Sequence, residues 1–310
     1  MHNYALLNGA DTASARCTMC PRACGAPRAD GAFGYCNSGV LPEVASVCVH
    51  RGEEPVFGPE GMCNVFFYHC TMQCVYCQNS QISVNSGEAG HTDAETLAES
   101  IRTRIGPDRP CVGFVSPSHF VPQMRETIAI VKRSAPWAVA VMNTGAYDRR
   151  ETISSLEDEM DVYLPDLKYM DEALARKYSR TPGYPGIALA ALREMYRQKG
   201  SNLALDDAGI IRSGLVIRHL ILPGHVENSI ACLRAIAEEL SASVHVSLMA
   251  QYHPTDAVRA HPVLGRTITR DEYETVLEEF YRLGFYRGWV QEMESSGSYL
   301  PDFGRGDVFG

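Results

Sequence analysis

From about residue 64 onward, the chain alternates apolar runs of strand length with stretches in which apolar residues recur at helical spacing. The strand candidates cover residues 64–69, 111–115, 137–142, 161–165, 214–222 and 243–249. Most are near-continuous apolar runs, as expected for parallel strands that are covered on both faces. Before residue 64, Gly, Pro and Cys are frequent and no helical period persists, which predicts a loop-rich segment held together by bound ligands.

Helix signals lie between these strand candidates. Capping boxes at 92–95 and 269–272 are each followed by apolar residues on one helical face. Two further helices are predicted at 171–179 and 184–199. The alternation of strands and helices predicts an α/β fold, a partial (open) parallel β/α barrel of about six units.

These patterns divide the chain into three predicted parts. They are a Cys-rich metal-binding segment over 1–63, the partial barrel over 64–290 and a C-terminal tail over 291–310. In parallel β/α folds the chemistry takes place at the carboxyl ends of the strands. Polar, Gly or Pro residues follow each strand candidate, so we expect one rim of the barrel to collect the reactive groups.

Composition and charge narrow the possible functions. The 310 residues are 45% hydrophobic and 21% charged, as in a typical globular protein. A formal net charge of −9 argues against nucleic acid or an anionic membrane as the main partner, because both require a basic face. Residues 1–16 lack the features of a secretory signal, and no apolar run approaches the roughly 18 residues that span a bilayer. We therefore expect a cytoplasmic protein.

The cysteines carry the strongest chemical signal. Nine of the eleven lie before residue 80, and in a cytosolic chain such clusters favour metal ligands or reactive thiols over disulfides. Cys70, Cys74 and Cys77 have the spacing C-x3-C-x2-C, with no fourth cysteine nearby. Three thiolates on one short loop can hold a [4Fe–4S] cluster and leave its fourth iron open to a ligand that is not part of the protein. Half a zinc site and three unrelated core thiols are the alternatives.

S-adenosylmethionine (SAM), through its amino and carboxylate groups, is the ligand that we expect at this open position. A cluster at the low end of the range of iron–sulfur potentials can reduce the sulfonium and break a carbon–sulfur bond, which yields a 5′-deoxyadenosyl radical. With Tyr76 before its last cysteine, the motif resembles the signature of the radical SAM superfamily.

Further segments resemble one branch of that superfamily, the proteins related to pyruvate formate-lyase activating enzyme. These segments are CPRACGAPRADGAFGYC, RGEEPVFGPEG, FFYHCTMQCVYCQNSQIS, SPSHFVPQ, VMNTGAYD, DVYLPDLKY, LVIRHLILPG and LMAQYHP. The resemblance implies hydrogen abstraction from a protein or peptide substrate, including activation of a glycyl-radical enzyme. It also implies a low-potential electron donor such as flavodoxin or ferredoxin.

The resemblance also implies roles for particular residues. Tyr76 would offer backbone contacts to the adenine of SAM. Ser116 begins the stretch SPSH, at a strand end where many members of the superfamily have a Gly-Gly-Glu motif that binds the SAM amino group. This chain lacks that glutamate, so a hydroxyl group or His119 must serve instead. Asn143 and Thr144 would hydrogen-bond the ribose or the carboxylate of SAM.

Asp166 and Lys168 form a D-x-K pair that resembles that of the activases, where it contacts SAM and its surroundings. A lysine that extends along the surface to solvent is the alternative interpretation of Lys168. His219 and His245 lie within apolar strand candidates and are predicted to be hydrogen-bonded core histidines, with contact to SAM or proton transfer as the alternative. Residues 251–253 end the last strand candidate, where substrate contact and rim packing are equally expected.

A second group of cysteines precedes the barrel. Cys17, Cys20, Cys24 and Cys36 have the spacing C-x2-C-x3-C-x11-C, which suits either an auxiliary [4Fe–4S] cluster or structural zinc. Free or redox-active thiols are the third possibility. Of the remaining cysteines, Cys48 and Cys63 are either alternative ligands, a thiol pair or inert core residues, and Cys111 and Cys232 are predicted core residues.

Three functions follow from these observations. The first is a radical SAM enzyme that acts on a protein or peptide, and the second is the same chemistry on a small metabolite or peptide. The third is a non-catalytic iron–sulfur or zinc scaffold that binds a protein partner. The intact cysteine motif and the polar strand ends argue against the scaffold.

Overall fold

A computed structural model describes residues 16–87, 89–293, 300–305 and 307–309. Most of the N-terminal stretch that was tested for a signal sequence, and part of the predicted C-terminal tail, lie outside the described residues. No described helix combines the length and the apolar character needed to cross a membrane.

The strands are β1 (Val44–His50), β2 (Met62–Phe67), β3 (Cys111–Val115), β4 (Val139–Thr144), β5 (Val162–Pro165), β6 (Ala204–Leu205), β7 (Ile211–Leu220), β8 (His245–Met249) and β9 (Gly288–Val290). The helices are α1 (Ser80–Ser83), α2 (Ala94–Arg102), α3 (Val121–Ser134), α4 (Arg150–Ser154), α5 (Glu172–Ser179), α6 (Tyr184–Lys199), α7 (Val226–Glu239) and α8 (Arg270–Arg282).

The strands form one open sheet in the order β1-β2-β3-β4-β5-β7-β8-β9, with β6 paired to β7. All neighbours from β2 to β9 along this path are parallel, whereas β1 and β6 are antiparallel to their partners. Every residue of β2, β3, β4 and β5 is buried, which explains their near-continuous apolar sequences. The predicted partial parallel β/α barrel is therefore confirmed.

Several element boundaries follow the sequence signals closely. Strand β3 and helix α6 span the predicted residues, and Thr269 caps α8 in the predicted capping box with Glu272. The first capping box is wrong by one residue. Asp93, not Thr92, caps α2, because its carboxylate accepts a hydrogen bond from the backbone N–H of Thr96.

The sequence patterns missed the two edge strands. Strand β1 is only half-buried along its length, and β9 has only three residues, so neither has a continuous apolar run. His50, the last residue of β1, pairs with Met62, the first residue of β2. The connection 51–61 therefore lies at the amino ends of the parallel strands, opposite the rim at which the reactive groups were expected.

This connection closes the barrel from below. Val56 and Phe57 pack against Met62, Val162 and Val216 in an apolar layer on the inner face of the sheet. A larger apolar cluster joins the outer face of the sheet to the helices. Above the inner layer the barrel interior becomes polar, and this polar region opens toward the carboxyl ends of the strands.

Candidate functional site

The three-cysteine loop follows β2 and is fixed on both sides of its first cysteine. His69 has a positive φ of 67°, and its Nδ1 lies 2.9 Å from the Val84 carbonyl oxygen. The Asn85 side chain accepts a hydrogen bond from the Cys70 N–H at 2.9 Å and donates one to the Cys70 carbonyl at 3.0 Å. These contacts hold Cys70 at the rim of the barrel.

The rest of the loop is held by the end of α5. The N–H groups of Gln73 and Val75 donate to the carbonyl oxygens of Ser179 and Tyr178, at 3.1 and 2.8 Å. The loop is therefore bound along its backbone to an element about 100 positions later in the chain, which limits its freedom to rearrange.

The thiols of this loop open into a cavity of about 560 Å³ inside the barrel. The predicted site residues that line it are Cys70, Cys74, Tyr76, Cys77, Ser116, Asn143, Thr144, Asp166 and Lys168. His119 is not among the lining residues. Strand ends that are far apart in sequence are thus brought together at one place.

Burial makes two thiols of the loop harder to ionise. It raises the pKa of Cys70 to about 12 and that of Cys74 to about 11, and at Cys74 the Lys168 cation opposes the rise. Ser179 donates its hydroxyl to the Cys74 sulfur at 2.9 Å, and the Met72 N–H donates to the Cys70 sulfur at 3.4 Å. Half-buried thiols with N–H and O–H donors directed at sulfur are a fitting donor set for an iron–sulfur cluster.

Over residues 16–87, 89–293, 300–305 and 307–309, no three His, Cys, Asp or Glu side chains stand in the arrangement of a single-ion metal site. The fit of this site to a cluster therefore rests on its thiols, their donors and their position at the cavity.

A chain of hydrogen-bonded hydroxyl groups ends at a sulfur atom of the cysteine loop. The Tyr76 hydroxyl lies 2.5 Å from that of Tyr169, which lies 2.8 Å from the Ser179 hydroxyl. Because Ser179 also donates to Cys74, the chain ends on a cluster-loop sulfur. Tyr169 and Ser179 were missed by the sequence analysis, since single Tyr and Ser residues carry no spacing signal.

Lys168 is paired inside the cavity. Its Nζ lies 2.6 Å from Asp166, and its side chain is only 17% exposed, so the interpretation of an extended surface lysine is wrong. The other Asp166 oxygen accepts from Arg218 at 2.7 Å, and Arg218 also donates to the Asn143 side chain at 2.6 Å. Burial alone would raise the pKa of Asp166, but Arg218 and Lys168 hold it below its usual value.

Arg218 was missed because, although it lies in the resembling segment LVIRHLILPG, no spacing marks it as a site residue. Burial would lower its pKa, yet the three carboxylates of Asp166, Glu54 and Glu53 raise it. It is the common partner of the D-x-K pair and of Asn143.

A carboxylate also lies near the end of β3, where the SPSH stretch lacks the glutamate of the Gly-Gly-Glu motif. Asp148, from the segment after β4, accepts hydrogen bonds from the hydroxyls of Thr144 and Ser118. Its burial raises its pKa. Ser116 adopts a positive φ of 53° and donates its N–H to the Asn143 carbonyl at 2.8 Å, which ties the ends of β3 and β4 together.

The histidines within or beside the strands are buried structural residues. His119 bonds to the Tyr68 carbonyl at 2.8 Å, and burial lowers its pKa to about 3. His219 bonds to the Leu167 carbonyl at 2.7 Å, and burial lowers its pKa to about 4. His245 is half-buried and bonds to the Ser201 carbonyl at 3.1 Å. Of residues 251–253, Gln251 lines the cavity.

The four N-terminal cysteines lie in a separate segment that contacts the cysteine loop. Burial raises the pKa of Cys20 to about 12, with a smaller contribution from the thiols of Cys36, Cys17 and Cys24 and against a backbone hydrogen bond from Arg22. Burial alone would also raise the pKa of Cys24, but hydrogen bonds from the backbone of Ala26 and Tyr35 hold it below its usual value.

Arg22 connects this segment to the cavity loop. It donates to the Thr71 carbonyl at 2.9 Å, and its guanidinium lies 3.7 Å from the centre of the Tyr35 ring. The remaining cysteines, Cys48, Cys63, Cys111 and Cys232, lie outside the cavity lining, and all but Cys48 are fully buried.

The cavity floor contains residues to which the sequence analysis assigned no role. They are Glu53, Glu54, Arg218, Ser247 and Trp289. The two glutamates reach the cavity from the connection below the barrel, and the other three come from β7, β8 and β9.

No family model matches the chain. An uncharacterised protein of Methanocaldococcus jannaschii is 27% identical over 241 residues, which cover 74% of this chain and 64% of that protein. The chain therefore spans less than two thirds of the curated relative that it matches.

Similar solved structures include SuiB of Streptococcus suis bound to S-adenosylmethionine, at a TM-score of 0.51 and 11% identity, over 76% of this chain and 52% of SuiB. SuiB bound to its precursor peptide SuiA matches at 0.50 and 12% identity, over 72% and 47%. HydG, a maturase of the [FeFe]-hydrogenase, matches at 0.50 and 11% identity, over 72% and 49%. At these identities the likeness shows the fold alone, which this chain shares with SuiB and HydG.

Proposed function

We propose that the protein binds a [4Fe–4S] cluster through Cys70, Cys74 and Cys77, and binds SAM beside it as the co-substrate of a radical reaction. One observation carries this proposal. The three thiols and the polar ends of β3, β4 and β5 line one cavity, although they come from four separate parts of the chain. The fold is shared with SuiB, whose structure contains bound S-adenosylmethionine.

When bound, the cluster would supply the electron that cleaves SAM to methionine and a 5′-deoxyadenosyl radical, which then takes a hydrogen atom from the substrate. The chain itself would bind and orient the two partners. Lys168 lies close enough to Cys74 to oppose the rise of its pKa, and Asp166 and Arg218 hold that lysine in place. The Ser179 hydroxyl donates to the Cys74 sulfur, which stabilises its thiolate form.

For SAM itself, the proposed contacts are the lining residues of the rim. Ser116 and Asn143 are tied together by a backbone hydrogen bond, so they would present one surface to the amino and carboxylate groups. Asp148 is a positioning residue here, because it fixes the Thr144 and Ser118 hydroxyls without lining the cavity. Tyr76 would contact the adenine through its backbone.

We further propose a protein or peptide substrate, with an electron supplied by a flavodoxin- or ferredoxin-like donor in the cytoplasm. SuiB, with its bound precursor peptide, shows that a protein of this fold can accept a peptide. Activation of a glycyl-radical enzyme is the specific form suggested by the resemblance to activases. Detection of a glycyl radical by electron paramagnetic resonance in a candidate partner would test that form.

The N-terminal cysteines are proposed to hold a second metal centre, either an auxiliary [4Fe–4S] cluster or zinc. The thiols of Cys36, Cys17 and Cys24 are near enough to Cys20 to act on its pKa, which supports this proposal. Zinc would require these thiols to move together, because no three of the described residues have the arrangement of a single-ion site. Arg22 binds the carbonyl of Thr71 in the cavity loop, so this centre would also brace the loop that carries Cys70 and Cys74.

The central experiment is purification without oxygen, followed by counts of iron, sulfide and zinc and by an assay with dithionite and SAM. We expect iron near four or eight per chain and formation of 5′-deoxyadenosine. The separate iron and zinc counts also identify the N-terminal metal. Zinc alone with no SAM cleavage would contradict the enzyme and favour the scaffold.

A further inference from the structure

Four interior side chains lie in one row across the sheet. Asp166, which follows β5, forms an isolated parallel β-bridge with Arg218 of β7. Arg218 is in register with Ser247 of β8, and Ser247 is in register with Trp289 of β9. All four line the cavity. Arg218 and Ser247 each stand two positions before the end of their strand, so they lie one layer below the rim, whereas Asp166 directly follows β5.

Two glutamates face this row from below, in very different environments. Glu53 lies 3.1 Å from His50, accepts from Asn64 at 2.9 Å and pairs with Arg218 at 3.5 Å. Burial alone would raise the pKa of Glu53, but His50 and Arg218 hold it below its usual value. Glu53 is thus a fully partnered carboxylate.

The carboxylate of Glu54 lacks such a full set of hydrogen bonds. Glu54 is only 9% exposed, and its Oε2 has no hydrogen-bond partner within the part of the chain that the structure describes. Ser247 is the hydroxyl beside it. Burial raises the pKa of Glu54, only partly opposed by Arg218.

Three carboxylates of the cavity, Glu53, Glu54 and Asp166, are buried or nearly buried. Asp166 pairs with Lys168 and Arg218, and Glu53 pairs with Arg218 and lies beside His50. Glu54 has no cation within ion-pair distance among the described residues, although Arg218 lies near enough to oppose the rise of its pKa. A buried carboxylate without a directly paired charge is unfavourable, so a positively charged group next to Glu54 would be stabilised.

Trp289 adds an aromatic surface to the same wall of the cavity. Trp is the side chain with the strongest cation–π attraction. A carboxylate, a hydroxyl and an indole together are a suitable environment for an organic ammonium or guanidinium group. An inorganic cation would instead require several oxygen ligands, and the floor offers only one unpartnered carboxylate.

We propose that Glu54, Ser247 and Trp289 form a subsite for a positively charged group of the substrate, a primary ammonium or a guanidinium. The subsite rests on the proposed function for its role, because it lies below the rim at which SAM would bind. It would direct a lysine-like or arginine-like chain into the barrel, with the carbon atoms before the charged group closer to the rim.

Calorimetric titration of the oxygen-free holoprotein tests the subsite without any turnover. The probes are Nα-acetyl-lysine amide and its neutral counterpart Nα-acetyl-norleucine amide. We expect the lysine probe to bind at least tenfold more tightly than the neutral probe, and Glu54→Gln to remove this preference. Equal binding of both probes to the wild-type protein, or an unchanged preference in Glu54→Gln, overturns the proposal.

Matched variants keep the result interpretable. Glu60→Gln removes a half-exposed carboxylate from the same connection, outside the cavity lining, and should keep the preference for the lysine probe. Trp289→Leu should weaken the binding of the lysine probe several-fold and that of the neutral probe by a smaller factor. If Glu54→Gln does not fold, an equal effect of Trp289→Leu on both probes overturns the proposal.

SAM also carries an ammonium group, and a competition experiment separates this source from the substrate. The lysine probe should bind equally well in the presence of saturating SAM. Displacement of the probe by SAM but not by 5′-methylthioadenosine, which lacks the amino acid part, would assign Glu54 to SAM and overturn the substrate subsite. The proposed SAM cleavage is measured separately by 5′-deoxyadenosine, so either proposal can fail while the other stands.

Discussion

The rim of the cavity is formed by residues that lie close together in the sequence, whereas its floor is formed by residues that lie far apart. At the rim, Cys70, Cys74 and Cys77 come from one eight-residue loop, and the D-x-K pair spans three residues. A charged network that extends from the floor to the rim joins residues 53, 64, 143, 166 and 218, which come from five separate segments. The rim therefore leaves a spacing motif in the sequence. The floor leaves no spacing motif, although Glu53, Glu54 and Arg218 lie in segments that resemble the activase branch.

The two regions also differ in their charge. At the rim, Lys168 opposes the cost of ionising the buried Cys74 thiol, as expected where a metal cluster holds thiolates. On the floor, Arg218 pairs with Asp166 and Glu53, whereas the Oε2 of Glu54 has no hydrogen-bond partner among the described residues. We infer that the rim is arranged for the cluster and SAM, and the floor for the substrate.

The largest effect is expected from the rim thiols. Replacing Cys70, Cys74 or Cys77 by Ala should abolish formation of 5′-deoxyadenosine and lower the iron content by about four per chain, because a cluster with two protein ligands is not retained. Cys232→Ala, which removes a buried thiol outside the cavity, is the matched control and should keep both. Turnover in any of the three variants contradicts the cluster assignment.

The next largest effect is expected on the floor, at Arg218. Arg218→Met should destabilise the fold by about 3–5 kcal/mol, because Asp166 and Glu53 would remain buried without their cation. Chemical denaturation measures this change. Arg212→Met, which affects a more exposed ion pair on the same strand, should cost much less. An equal loss in the free energy of unfolding for the two arginine variants would show that the floor network contributes no more than an exposed ion pair.

Lys168→Ala returns the comparison to the rim. It should weaken SAM binding about tenfold, which corresponds to about 1.4 kcal/mol, while the iron content stays unchanged. Equilibrium dialysis with labelled SAM provides the measurement. Lys177→Ala, at an exposed position of α5, serves as the control. An unchanged affinity in Lys168→Ala would remove Lys168 from the SAM site.

The smallest effect is the pH dependence of stability at Glu54. Because burial raises the pKa of Glu54 in the folded protein, its contribution to stability is greatest below the usual glutamate pKa and is lost as the pH rises through the raised value. Glu54→Gln should therefore melt about 2 °C above the wild-type protein at pH 8, a difference of about 1 kcal/mol, and the gap should narrow toward pH 5. A gap that widens toward acid pH would contradict a buried, unpaired carboxylate.

Much of the fold could be predicted because single segments encode it. The continuous apolar run 111–115 can be satisfied only where both faces are covered, and it is a central strand. The edge strand β1 has a half-buried pattern, so its pairing with β2 was not visible in the sequence. The capping box at Thr269 was correct because it depends on four adjacent residues.

The candidate site divides in the same way. The thiol trio and the lining positions of Ser116, Asn143 and Lys168 follow from motifs at strand ends. His119 belongs to the same motif as Ser116, yet the short turn after β3 buries it against Phe120, away from the cavity. Asp148 accepts hydrogen bonds from the hydroxyls of Ser118 and Thr144, although nothing in its own sequence context indicates these contacts.

By itself, the sequence determined the α/β class, the order of the main strands along the chain and the spacing of the candidate cluster cysteines, because each depends on residues within a few positions of one another. Only the tertiary structure decided which strand ends share a cavity, which carboxylates Arg218 neutralises and that Glu54 is left over. Those properties depend on strand register and on the inward path of the connection 51–61, which bring together side chains up to 236 positions apart, from Glu53 to Trp289. Burial then sets the charge of each group, and burial is a property of the whole fold.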